Sequence, residues 1–255
     1  MSCTLLRQWA RPSGLGGARK ALRQLELWLT PDIVSQPPRG RADVLVNPAN
    51  EGLLGTALPY FPKGGPIPQA PGGRDAKWIP PGFVSRWGGM EVGLGMLYSQ
   101  QVVDGRVHLL GGAELKRECQ KQPEVQPGVR CPTGHAVATR ALGRLASLFS
   151  VIVHTTPPLY GEHDWEVLLH SCYRESLLLA MKRPNRVTSI AVPLLGAGAR
   201  GAPMERASSV AAVACGEWLA EGTSDREAER VALQICVQEE DIALTVARQV
   251  ESVLD

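Results

Sequence analysis

Val187-Thr188-Ser189-Ile190-Ala191-Val192-Pro193 runs into Leu194-Leu195-Gly196-Ala197-Gly198-Ala199-Arg200-Gly201-Ala202-Pro203, and that loop opens onto an Ala-rich stretch from Met204 to Ala220. A short apolar, partly β-branched run predicts a strand over Val187–Val192, and Pro193 stops it. The Ala-rich stretch predicts a helix closed by Gly222. Working outward, the same unit recurs. Val151–Thr155 is a β-branched strand, and Asp164 to Met181 follows as a helix whose Trp165, Leu168, Leu169, Cys172 and Ser176 recur at i, i+3, i+4, with Asp164 able to start it. Val231–Val237 predicts a strand, and Glu239 to Leu254 a last helix with Ile242, Val246, Val250 and Leu254 on one face. Towards the N-terminus, Leu25–Leu29 alternates poorly and predicts a strand covered on both sides. Asp43–Val46 is a second short strand, and Asp104 to Lys121 a helix weakened by Gly111-Gly112. Strands alternating with helices predict an α/β fold with a mostly parallel sheet covered on both faces.

Composition bounds the class. The 255 residues, 44% of them hydrophobic, suffice for one large domain with a sizeable core. The 27 basic and 25 acidic residues leave a net charge of +2, which argues against a protein held to nucleic acid by a strong basic field. It leaves room for one anionic small molecule, which needs local backbone donors rather than global charge. The cysteines Cys3, Cys119, Cys131, Cys172, Cys215 and Cys236 form no Cys-x-x-Cys pair and read as free thiols in a reducing compartment. No apolar run approaches the roughly 20 residues of a membrane helix. A monomer and no membrane partner are expected.

Two segments stand apart. Residues 1–24 carry Arg7, Arg11, Arg19, Lys20 and Arg23 and no acid, so they read either as a basic arm or as an organelle transit segment. The compartment is accordingly expected to be cytoplasm or nucleus, or an organelle if the segment is a transit peptide. Residues 25–255 form the domain. Within it residues 56–101 are rich in Pro and Gly, with Trp78 and Trp87 but little periodicity, and read as an ordered insertion or lid.

Ligands of open α/β sheets bind at the carboxyl ends of the strands. Three loops there carry suitable chemistry. Asn47 and Asn50 follow a strand. Asp104 lies at a helix start. The glycines of Gly196–Gly201 let backbone N–H groups approach an anion at the N-terminus of the next helix. Each has a plainer reading: Asn50 as a turn residue, Asp104 as an N-cap, the glycine loop as a tight turn. The glycine loop is neither a P-loop nor a dinucleotide-binding fingerprint. His163 and His170 lack supporting ligands, so no metal site is expected, and His154 reads as a satisfied core histidine.

Taken together and in order, these loops resemble the macrodomain family. Asp43-Val44-Leu45-Val46-Asn47-Pro48-Ala49-Asn50 is similar to its Asp-Ala-Ile-Val-Asn-Ala-Ala-Asn signature. Val103-Asp104-Gly105-Arg106-Val107-His108, with Gly112-Ala113-Glu114-Leu115 and Glu118-Cys119, is similar to its Val-Asp-Gly-Ala-Ile-His helix. Cys131-Pro132-Thr133-Gly134-His135-Ala136, Val151-Ile152-Val153-His154-Thr155 and Cys172-Tyr173-Arg174 match further motifs. The resemblance runs from about Leu25 to the C-terminus, interrupted by the insertion, and is nearest to the MacroD-type ADP-ribosyl hydrolases.

The resemblance implies a three-layer α/β/α fold with a mixed, mostly parallel sheet, and a crevice that binds ADP-ribose or an ADP-ribosylated protein without a cofactor. Asp32 and Ile33 fall where the family meets the adenine, Asp32 accepting from its amino group. Asn47 and the loop Gly196, Ala197, Gly198, Ala199, Arg200 and Gly201 would hold the ligand, the loop at its pyrophosphate. Asn50 would bond the distal ribose, and Asp104 would orient or deprotonate the attacking water. Two departures matter. The family's Gly-Gly-Gly stretch before Val-Asp-Gly is absent, and Gly196, Ala197 and Arg200 stand where it carries Ser, Thr and an aromatic. The implied function is hydrolysis of mono-ADP-ribose linkages or of O-acetyl-ADP-ribose. The alternatives are a reader that binds without turnover, and a binder of other nucleotides or poly(A)-like RNA, against which the charge balance counts.

Overall fold

A computed structural model describes residues 2–10, 23–56, 65–66, 78–79, 102–182, 187–198, 200–221 and 231–255. Seven strands form one sheet: β1 (Thr4–Ala10), β2 (Arg23–Leu29), β3 (Val44–Pro48), β6 (Ala136–Arg140), β7 (Val151–Thr155), β8 (Ser189–Pro193) and β9 (Val231–Val237), in the order β1-β2-β9-β8-β3-β7-β6. The five inner strands run parallel, and β1 and β6 add antiparallel edges. The two-residue strands β4 (Gly65–Pro66) and β5 (Trp78–Ile79) pair with each other inside the insertion. The rest of residues 57–101, and with it the expected lid and Trp87, lies outside the described residues, as do Ala199 and Gly222.

Period-two alternation splits the buried residues between the two faces. Leu25, Leu27, Val44, Val46, Val153, Ile190, Val192, Leu233 and Ile235 pack with α2 (Trp165–Met181), α3 (Met204–Glu221) and α4 (Glu240–Leu254). Trp28, Leu45, Ile152, Ala191 and Cys236 pack with Val107, Leu115 and Cys119 of α1 (Val103–Gln120) and with Leu145 and Phe149. The result is the three-layer α/β/α arrangement. No helix among the described residues is long and apolar enough to cross a membrane.

The structure differs from the sequence reading at particular points. Thr4–Ala10, placed in a basic arm, form a mostly exposed edge strand paired with β2. Asp164 occupies the N-cap position of α2 with φ 56° and makes no capping hydrogen bond. The weak point foreseen at Gly111-Gly112 is a break in α1: Gly112 has φ 61° and ψ −157°, a conformation open to glycine. Gly143 packs onto that break with φ +58°, and a Cβ there would lie 2.7 Å from Leu110 O and 2.9 Å from Gly111 O. Gly143→Ala should therefore lower stability by about 1–3 kcal/mol. Urea unfolding reads this, and an unchanged midpoint would show that the contact yields freely.

Candidate functional site

The parallel strands deliver their carboxyl ends to one edge of the sheet, and a cleft of about 750 Å³ opens there. Thr30–Ile33 after β2, Pro48 of β3, Pro193 of β8 and Val237–Glu239 at the end of β9 supply its wall. Val103, Met204 and Glu239 bring the N-terminal ends of α1, α3 and α4 to the same cleft. Three helix N-termini directed at one space favour negative charge there.

The glycine loop supplies the closest donors. Gly196 takes φ +82°, and a Cβ on it would meet Leu169 at 3.0 Å. Its carbonyl accepts from Ala202 N at 3.0 Å, and Gly198 O accepts from Gly201 N at 3.0 Å. Leu195 N donates to Tyr173 Oη at 2.8 Å. The loop is thereby closed from behind, while among the described residues no hydrogen bond engages the N–H groups of Gly196, Ala197 and Gly198. All three residues line the cleft, which makes them available to an anion. Arg200 lines it too and donates to Ala49 O at 3.2 Å.

Asp104 is buried in the first turn of α1 and lines the cleft. Val102 occupies the N-cap, so capping is not the role of Asp104. Its Oδ1 accepts from Asn47 Nδ2 at 2.9 Å and its Oδ2 from Thr56 Oγ1 at 2.9 Å, and His108 Nε2 stands 3.6 Å from Oδ1. Each carboxylate oxygen keeps a lone pair for a water in the cleft.

Behind Asp104 lies a buried chain. The second N–H of Asn47 Nδ2 donates to His154 Nδ1 at 3.1 Å. That leaves the proton of a neutral imidazole on Nε2, which faces Thr139 Oγ1 at 3.0 Å and Cys119 Sγ at 3.8 Å. Burial, and then the nearby His108, lower the pKa of His154 to about 3. Burial, then Asp104 and Glu118, push the Cys119 thiol up to about 12. His108, Cys119 and His154 place ligand atoms within 4.8 Å of one another. Both ring nitrogens of His154 are committed to protein partners, however, and a thiol held protonated is a poor ligand.

Asp32, Ile33, Asp104, Gly196, Ala197, Gly198 and Arg200 thus meet in one cleft. Three expected residues stand elsewhere. Asn47 is fully buried behind Asp104 rather than in the cleft wall. Asn50 is spent on its own turn, with Nδ2 donating to Gly55 O at 3.2 Å and Oδ1 accepting from Leu54 N at 3.0 Å. Gly201, with φ +76°, shapes the loop without lining the cleft. Sequence reasoning missed Thr56, Thr139 and Arg106. Only Arg106 carried a signal, since it replaces an alanine of the motif it resembles.

A cleft of this size at the strand ends, with free loop amides and a fixed carboxylate, places the chain among α/β domains with a built crevice at the carboxyl edge of the sheet. The Macro domain family matches residues 94–211. A macro domain-containing protein of Caldanaerobacter subterraneus subsp. tengcongensis is 40% identical over 127 residues, 49% of this chain and 68% of the relative. The chain belongs to the Macro domain family. It is also similar to an O-acetyl-ADP-ribose deacetylase of Escherichia fergusonii, at 41% identity over 111 residues, and there it spans 59% of the relative and 43% of itself. A Trypanosoma brucei macrodomain in complex with ADP-ribose shares the fold, with a TM-score of 0.55 and 24% identity, over 89% of this chain and 68% of that one.

The neutral His154 has a measurable consequence. Its pKa in the fold lies below the ordinary 6.5, so the unfolded chain takes up a proton that the folded one refuses. The stability linked to this group is complete above pH 6.5 and is lost as pH falls towards 3. Between pH 6 and 4, wild type should lose about 1.4 kcal/mol per pH unit more than His154→Gln. Parallel slopes in urea unfolding would mean that the imidazole is charged in the fold.

Proposed function

We propose that the chain binds ADP-ribose in this cleft and hydrolyses linkages at its distal ribose, either mono-ADP-ribose on acidic side chains or O-acetyl-ADP-ribose. The observation that carries this reading is Asp104: a buried carboxylate facing the cleft, with both oxygens fixed by Asn47 and Thr56. The deacetylase name of a relative at 41% identity supports it.

The diphosphate lies along the amides of Gly196, Ala197 and Gly198, and the distal ribose reaches towards Asp104. A water hydrogen-bonded to Asp104 attacks the electrophilic carbon, and its proton passes to the carboxylate. For a side-chain linkage the attack falls on the ribose C1″, and the target carboxylate departs with the bonding pair. For an O-acetyl group it falls on the acyl carbon, and the ribose oxygen departs, taking the proton back from Asp104. Asn47 and Thr56 hold the base in one orientation, so positioning supplies much of the rate. Asn50 favours a second reading, a binder without turnover, because the amide expected to hold the ribose is engaged in its own turn.

Incubation with a protein carrying carboxylate-linked ADP-ribose, and separately with O-acetyl-ADP-ribose, tests the enzyme reading. Asp104→Ala should slow release on the order of 10²–10⁴-fold while ADP-ribose still binds. A wild type that binds ADP-ribose but releases no product from either substrate supports the reader instead. The glycine loop has its own test. A Cβ at Gly198 meets nothing within 4 Å, so Gly198→Val should fold normally, yet its branched side chain would stand among the loop amides. Calorimetry should show ADP-ribose binding lost, and wild-type affinity would remove the diphosphate from this loop.

A further inference from the structure

Arg106 follows Asp104 by two positions in the first turn of α1 and lines the same cleft. Its guanidinium reaches to the loop after β2, where Nη2 donates to Asp32 Oδ2 and stands 3.3 Å from Ser35 Oγ. Asp32 is heavily used. Its Oδ1 accepts from Val34 N at 2.9 Å, and its Oδ2 accepts from Ser35 Oγ at 2.5 Å as well as from Arg106. Both lone pairs of Oδ2 are filled.

Arg106 is under-used by comparison. A guanidinium offers five N–H donors, and among the described residues its buried Nε has no acceptor. The pair is only part-buried, with side-chain exposures of 31% and 20%, so it is open to the cleft and reachable by a ligand. Meanwhile Asp32, Asp104 and Glu239 put three carboxylates on the cleft wall. A diphosphate entering among them needs full positive charge as well as the partial charge of loop amides. Arg200 is the other guanidinium of the wall, and its Nη2 is directed at Ala49 O.

We propose that Arg106 sets the cleft's preference for a nucleoside diphosphate over the bare nucleoside. In the structure it rests on Asp32. An incoming diphosphate draws the guanidinium away through a charge-assisted, forked contact and frees Asp32 Oδ2 for a donor on the base. Base and phosphate recognition are thereby coupled: a base alone must compete with Arg106 for the carboxylate, and the phosphate removes the competitor. The inference rests on the reading of the cleft as an ADP-ribose site.

Calorimetry with adenosine, ADP and ADP-ribose on wild type, Arg106→Ala and Arg106→Gln tests it, the glutamine keeping part of the stem. Both variants should bind ADP and ADP-ribose roughly ten- to a hundredfold more weakly, with a shallower salt dependence. Adenosine should bind them no more weakly than it binds wild type. Folded variants that match wild type for ADP, or that lose adenosine as much as ADP, overturn the role of Arg106 and leave the ADP-ribose reading intact. A wild type that binds neither ADP nor ADP-ribose overturns both.

Discussion

Asn47 stands at the end of β3 with no solvent exposure, and its Nδ2 is shared between Asp104 Oδ1 and His154 Nδ1. One amide thus ties the centre of the sheet to the start of α1 and to the neighbouring strand β7. The arrangement has only one sense. Turning the amide over would aim Oδ1 at the Asp104 carboxylate, which can only accept. Asn47 Oδ1 consequently has no partner among the described residues, an orphan that costs about 1–3 kcal/mol.

From that fixed point the protonation states follow in sequence. Donation into Nδ1 places the imidazole proton on Nε2, facing Thr139 of β6. Burial keeps the ring neutral, so no cation stands against Asp104 from that side. Asp104 is held by the amide of Asn47, the hydroxyl of Thr56 and the N-terminal end of α1, with His108 Nε2 3.6 Å from Oδ1. The contrast with Asp32 is instructive: the same cleft holds one carboxylate bound to a guanidinium and another bound to an amide and a hydroxyl.

Much of this fold was legible because the inner strands are buried on both faces and the helices follow them at once. Val151–Val153 and most of Val231–Val237 are the apolar runs that parallel burial produces, interrupted only at Gln234, and Val151–Thr155 and Val231–Val237 are strands with the expected bounds. The edges were not legible. β1 is mostly exposed and β6 half-buried, so neither carries a clean alternation, and each depends on a partner strand to exist. The site divides in the same way. Asp32 and the glycine loop could be placed because each lies just beyond a strand. The partnership of Asn47 with Asp104 spans 57 residues, and no local spacing encodes it. Asn50 was expected at the ribose; in the structure its amide is engaged in short-range turn bonds to Leu54 and Gly55, which compete with a reach into the cleft.

The position of the insertion ties these strands of argument together. Thr56 closes the turn that Asn50 begins, and its hydroxyl holds Asp104 Oδ2, while Val102 leads directly into α1. The long segment between them therefore leaves and returns on either side of one carboxylate. A displacement of either end acts on Asp104 through a single hydrogen bond or through the helix's first turn. Asn47, by contrast, is anchored in the sheet and holds Oδ1 regardless. One oxygen of the carboxylate is thus fixed by the core, and the other by the residue from which that segment departs.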